Sequence, residues 1–217
     1  MSYILPYEVS FMDEMSKEVS ELEIILGLPD GFYDNLLKED DWSFMVKLSA
    51  LFEAASGQAL SAKLQHPEIE SELSCLDQAN PQYGKVTLML KLNMITKEQS
   101  VFLTKLAEFR NKLVHNISEV NFKWDSYISC LDTNQKKSFA KVFGHGIHET
   151  FKVKNVLFNR TNFTLENPKM AIWLTANEIL ACLHADIRNS KDIQKINGIS
   201  QRLIQKITSP PPPLFVK

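Results

Sequence analysis

Glycine is scarce in this 217-residue sequence, with only 7 in all. A chain of short strands and tight turns needs more, so the shortage points to helices. Cysteine is scarcer still: Cys75, Cys130 and Cys182 are far apart, odd in number and without paired spacing. That argues against a disulfide framework and against a zinc site. Net charge is nearly absent, with 24 Lys and Arg against 26 Asp and Glu and a formal charge of -2. Proteins that coat nucleic acid by neutralising phosphate are usually basic, so the global charge does not supply that binding here. A local basic site, or one assembled across a dimer, stays open. No apolar run is long enough to cross a bilayer, and the basic-then-apolar pattern of a secretory leader is missing. The expectation is a cytoplasmic protein with no membrane partner, in which the sequons at Asn116, Asn159 and Asn162 are incidental. Phosphate-cradling glycine loops, a serine-centred elbow and a dinucleotide fingerprint are also missing, and no cofactor is expected.

What is present is ordinary globular material, 44% hydrophobic and 23% charged, with a length that fits one large domain or one domain plus an extension. Helical periodicity dominates. Ser10 can cap a helix whose apolar positions Phe11, Met15, Val19, Leu22 and Ile25 recur at three- and four-residue steps, ended by Gly27 and Pro29. Asp41 can cap the long segment "WSFMVKLSALFEAASGQALSAKL", where Met45, Leu48, Leu51, Phe52 and Ala55 make a broad buried stripe. Pro67 starts a short acidic turn of helix, and "DQANPQYG" is a loop. Thr96 and Gln99 form a capping box for a helix beginning near Lys97. Further on, "QKKSFAKVFG" reads as a short helix ending at Gly144, and residues 145–166 as a loop or short hairpin. Asn167 and Pro168 are a cap and first-turn pair for "KMAIWLTANEILACLHADI". A last helix covers about 191–207, and "SPPPP" stops the chain in a stiff tail. The sum is an all-α bundle of six to eight helices, the final two packing as a hairpin.

The stretch "FRNKLVHN", residues 109–116, ends an apolar helix in polar residues. At about 100° per residue, Phe102, Leu106, Phe109 and Leu113 form a stripe flanked by Leu103 and Val114. Arg110 falls inside that arc, while Asn111 and His115, one turn apart, lie on its polar edge. A guanidinium cannot shed its charge, so burial requires a carboxylate, a carbonyl cluster or a phosphate. Glu53, mid-helix in "ALFEAAS", is the candidate supporting acid, and a purely structural Arg110–Glu53 pair is the bland alternative.

The stretch "FLTKLAEFRNKLVHN" resembles the signature helix of the HEPN superfamily, the higher eukaryotes and prokaryotes nucleotide-binding domains. That signature is an arginine, usually a following polar residue, and a histidine several positions on; Arg110, Asn111 and His115 occupy those positions. The upstream "DDWSFMVKLSALFEAASGQAL" is similar to the long apolar helix of such domains. "YGKVTLMLKLNMITKEQSVFLTKL" resembles the segment preceding the signature in the mannitol operon repressor family, a HEPN-like group. The resemblance covers roughly residues 40–120. With the helices read above, this gives an N-terminal helical extension over 1–39, a HEPN-like helical core over 40–123, a C-terminal helical part packed on the core over 124–208, and a proline-rich tail over 209–217.

The resemblance further implies metal-independent cleavage of RNA by Arg110, Asn111 and His115 as catalytic residues, in a homodimer that brings two signature helices to one cleft. A histidine near neutral pKa can exchange a proton with a ribose hydroxyl or leaving oxygen, and an arginine can bind the scissile phosphate with two hydrogen bonds. A toxin or phage-defence effector with an antitoxin partner would fit that activity. Members of the mannitol repressor group with a degenerate motif act instead as regulatory or protein-interaction modules. No recognition helix for direct DNA reading stands out.

Two other stretches carry chemistry-bearing residues. In "GHGIHETFK", His145, His148 and Glu149 lack a third or fourth ligand at defined spacing, and neither His66 nor His184 is placed to supply it, so no metal is expected. In "FKVKNVLFNRTNF", Lys152, Lys154 and Arg160 alternate with Phe151, Phe158 and Phe163. That makes a candidate RNA-contacting strip, against the plainer reading of an amphipathic element with its aromatics packed inward.

Overall fold

The structure is a computed structural model that describes residues 6–153 and 156–208, the side chains of residues 6–12 and 153 excepted. Lys154 and the proline-rich tail over 209–217 lie outside the described residues.

The fold is all-α, with ten α-helices and one two-stranded hairpin among the described residues. This exceeds the expected six to eight, because "FYDN", "KVTLMLK", "WDSYIS" and "RTNFTLE" each close a short helix of their own: α2 (Phe32–Asn35), α5 (Lys85–Lys91), α7 (Trp124–Ser129) and α9 (Arg160–Glu166). At the centre lies α3 (Asp41–Leu64), buried over most of its wheel, with one narrow exposed side at Lys47, Ala50 and Ala54. A buried arc that broad has to be enclosed by several neighbours. The long helices α6 (Lys97–His115) and α10 (Pro168–Thr208), with α4 (Glu70–Ser74) and α5, supply the enclosure. Phe44, Leu48, Phe52, Phe102, Leu106 and Ile179 are each at most 1% exposed and belong to one cluster reaching from Val19 to Ile187.

The cap of α3 is Asp40, not Asp41. The Asp40 carboxylate accepts the Ser43 backbone N–H at 2.9 Å, the three-residue reach that capping requires. Asp41, one step inside, does a tertiary job instead: it accepts the Trp124 N–H at 3.0 Å and pairs with Lys169 at 3.0 Å. These contacts pin α7 and the start of α10 to the start of α3. The Thr96–Gln99 capping box is formed as the sequence predicts, with bonds of 2.9 and 3.2 Å.

Contacts along α6 fix its direction. Trp42 donates its indole N–H to the Leu113 carbonyl at 3.3 Å, and Gln99 donates to Glu178 at 3.4 Å. Lys63 lies 4.0 Å from Asp186. So α6 runs antiparallel to α3 and α10, and His115 sits at the end of the bundle where α3 and α10 begin.

The first helix, α1 (Pro6–Ile25), closes onto α10. His184 Nδ1 lies 2.5 Å from Glu18 Oε2, and Arg188 pairs with the other oxygen of the same carboxylate. The turn after α1 uses Gly27 in the left-handed region at φ 68°.

The expected break before residue 191 is absent. Pro168–Thr208 is one helix of 41 residues, about 60 Å long. Between the two expected helices lies only "RNS", and Asn and Ser cost a helix only a few tenths of a kcal/mol each and break nothing without a proline. The final two helices therefore do not fold back on each other.

Candidate functional site

Arg110 leaves α6 on the side facing α3. Its guanidinium donates to Glu53 Oε1 at 2.5 Å and to Asn111 Oδ1 at 2.9 Å. The two ion-pair side chains are 28% and 32% exposed, so the pair is half-buried rather than sealed. Together with Asn111 they line an open cleft of about 250 Å³, walled on its far side by residues 74–79.

That wall is held by backbone geometry. The loop after α4 folds back on the start of α5 through Gly84 N–H to Asn80 O at 2.9 Å, Lys85 N–H to Asp77 O at 3.0 Å and Val86 N–H to Gln78 O at 3.1 Å. Only a glycine permits this: a Cβ on Gly84 would lie 2.5 Å from the Asn80 carbonyl oxygen. The loop thereby presents Asp77 and Gln78 to the cleft. Gln78 is buried and donates to Ser56 Oγ at 3.0 Å, while its Oε1 has no partner among the described residues.

A second cation lies alongside. Lys85 is 3% exposed and donates to the Glu53 main-chain carbonyl at 3.2 Å. Burial holds its ammonium below the ordinary lysine value, with Glu53, Cys75 and Asp77 pulling it partly back. Sequence reasoning missed Lys85, yet a signal was there. A lysine in the first turn of a helix opposes the helix dipole, and such a placement needs a tertiary reason. Here the reason is the carbonyl of Glu53.

The three motif residues divide into two places. Arg110 and Asn111 belong to the cleft. His115 is exposed, one turn beyond Asn111 on the same line of α6, and makes no side-chain hydrogen bond among the described residues. The Asn111 side-chain carbonyl oxygen receives Arg110. His115 lies five positions beyond Arg110, a rise of about 7.5 Å and a rotation of about 140°. Within one chain the two side chains therefore diverge.

The aromatic strip lies elsewhere. β1 (Thr150–Val153) and β2 (Val156–Asn159) form an antiparallel hairpin that sets Phe151 opposite Phe158. Those rings stack at 5.5 Å, and Phe163 of α9 meets Phe151 edge-on at 5.1 Å. The phenylalanines thus pack on one another instead of lining a groove. Lys152 is exposed, Arg160 is half-buried with its guanidinium donating to the Ile147 carbonyl at 3.4 Å, and none of these residues lines the Arg110 cleft.

His145 and His148 do not form a ligand set either: His145 Nδ1 faces the Val142 carbonyl at 3.0 Å, and His148 is exposed. Among the described residues, the group with ligand-like closeness is Glu18, Glu21 and His184. Arg188 already occupies the Glu18 carboxylate, so the cluster is satisfied by an internal cation.

No protein-family model, no curated protein and no solved structure matches the chain.

Proposed function

We propose that the chain is a metal-independent endoribonuclease of the HEPN type, with Arg110, Asn111 and His115 as its catalytic residues and a toxin or phage-defence effector as its role. The observation that carries this reading is the placement of Arg110. A structural arginine on an apolar helix face would be closed off; this one keeps 28% of its side chain exposed and lines an open cleft. An incoming phosphate can displace the Glu53 carboxylate, since both offer a guanidinium the same bidentate acceptor geometry.

In the proposed reaction the ribose 2′-oxygen attacks the neighbouring phosphorus and passes its proton to a histidine. The bond to the 5′-oxygen breaks, and that oxygen takes a proton from a second acid. The products are a 2′,3′-cyclic phosphate and a 5′-hydroxyl, and no metal or redox partner is consumed. Arg110 stabilises the added charge on the phosphoryl oxygens. Because Arg110 and His115 diverge on one helix, the reading calls for a homodimer in which the same histidine of a second copy approaches the cleft.

A second reading has its own observation. Arg110 is already satisfied by Glu53 and Asn111, as a structural pair would be, and this favours a non-catalytic interaction module of the mannitol operon repressor type. The experiment that separates them is cleavage of mixed RNA in chelator by the wild type, His115→Ala and Arg110→Ala. Cleavage by the wild type that falls at least a hundredfold in both variants supports the nuclease. No cleavage by the wild type, or equal cleavage by all three, assigns the chain to the interaction module.

A further inference from the structure

We propose that residues 191–208 are a docking arm for a partner protein presenting an acidic amphipathic helix. The first half of α10 is buried in the bundle as far as Ser190; beyond it, all but one position is exposed. The arm is 18 residues of a continuous helix, about 27 Å long. A solvated helix has no use for a row of isoleucines, yet Ile193, Ile196, Ile199, Leu203, Ile204 and Ile207 are 51 to 82% exposed.

Projected at about 100° per residue, these six side chains fall within one arc of about 140°. Asp192 and Ser200 interrupt it, and Asp192 is held by Lys195 at 3.1 Å. The large buried side chains nearest the arm, Leu180, Leu183 and Ile187, point roughly half a turn away. Beyond Ser190 every described position but Gly198 is exposed, so the bundle does not cover the stripe.

Charge says what covers it. Lys191, Lys195, Arg202 and Lys206 share an arc of about 60° directly beside the stripe, while the other flank, including Asn197 and Gln201, is uncharged. Counting Asp192, the arm carries +3, which leaves -5 for the rest of the chain out of a total of -2. Pairing two copies of the arm sets +3 against +3, so a helix with an apolar face and an acidic border is the complementary occupant. A helix lying in a lipid headgroup layer meets phosphate along both flanks, which the uncharged flank does not answer. Single-stranded RNA is bound by stacking on aromatic rings, and the arm has none.

The test uses the full chain and a labelled 18-residue helix-forming peptide with leucines on one face and glutamates beside them. A matched peptide carries glutamine for glutamate, and another carries lysine. Fluorescence anisotropy at low salt should show the glutamate peptide binding at least tenfold tighter than the glutamine peptide, the advantage shrinking as salt is raised. Ile196→Ser with Leu203→Ser should abolish binding. Reversing the four basic residues to glutamate should transfer the preference to the lysine peptide, which shows that the variant arm is still folded. Equal binding of glutamate and glutamine peptides, or none, overturns the proposal. So does self-association of the wild type that is lost in the Ile196 and Leu203 variant, which gives the face to a second copy. Binding of the arm to anionic phosphatidylserine vesicles that the glutamate peptide fails to displace overturns it in favour of a membrane.

Discussion

Replacing Glu53 with glutamine keeps the size of the side chain and removes its charge, and this one change sets the fold against the site. Two unit charges about 4 Å apart attract by about 4 kcal/mol at an effective dielectric of 20. The pair here is 2.5 Å between nitrogen and oxygen, but its side chains are 28% and 32% exposed. Solvent screening and the cost of desolvating both groups bring the net coupling to about 1–2 kcal/mol, above a surface pair and below a sealed one. A double-mutant cycle of Glu53→Gln and Arg110→Met, read by urea unfolding at pH 7, should return that value. The same substitution frees the guanidinium, so under the nuclease reading Glu53→Gln should bind single-stranded RNA several-fold more tightly while unfolding more easily. A coupling under about 0.3 kcal/mol would show that the contact is an exposed, nearly neutral one and would refute the argument from partial burial. Lower stability without any gain in RNA affinity would mark Glu53 and Arg110 as a structural pair.

Gly84→Ala should destabilise the protein by more than about 2 kcal/mol, because its Cβ would meet Asn80 backbone atoms at 2.5 and 2.6 Å; thermal unfolding followed by circular dichroism measures it. Glu18 gives the pH dependence: burial alone would raise its carboxyl, but the hydrogen bonds from His184 and Arg188 outweigh this and hold it below the ordinary 4.5. Its contribution is thus fully present above that value and lost as pH falls through the lower folded one, so Glu18→Gln should flatten the acid limb of a urea-midpoint profile between about pH 5 and 3. Ending the chain after Ser190 should change stability by less than about 1 kcal/mol, since the removed arm buries almost nothing of the core; a larger loss of urea midpoint would contradict the account of α10.

The long elements were legible because their signals are local. Thr96 with Gln99 marks the start of α6 to the residue, and Gly27 marks the turn after α1. The Asp40 cap was missed by one position because two adjacent aspartates offer the same chemistry, and only tertiary demand from Trp124 and Lys169 separates them. The continuity of α10 was invisible for the opposite reason: "RNS" lowers local helix preference without supplying a stop. In the cleft, Arg110 and Glu53 could be paired on paper, since a cation on an apolar face needs an acid on a neighbouring one. The wall opposite them could not be foreseen. Asp77 and Gln78 reach it only through a loop whose closure depends on Gly84, and nothing in the periodicity of "DQANPQYGK" encodes that fold.

The clasp between Glu18 and His184 joins residues 166 positions apart. At synthesis rates of about 5–20 residues per second, α1 waits roughly 8 to 30 seconds, and the apolar surface of α3 roughly 6 to 25, before the helix that covers them exists. For that interval the nascent chain carries an unfinished core, with apolar surface open to aggregation.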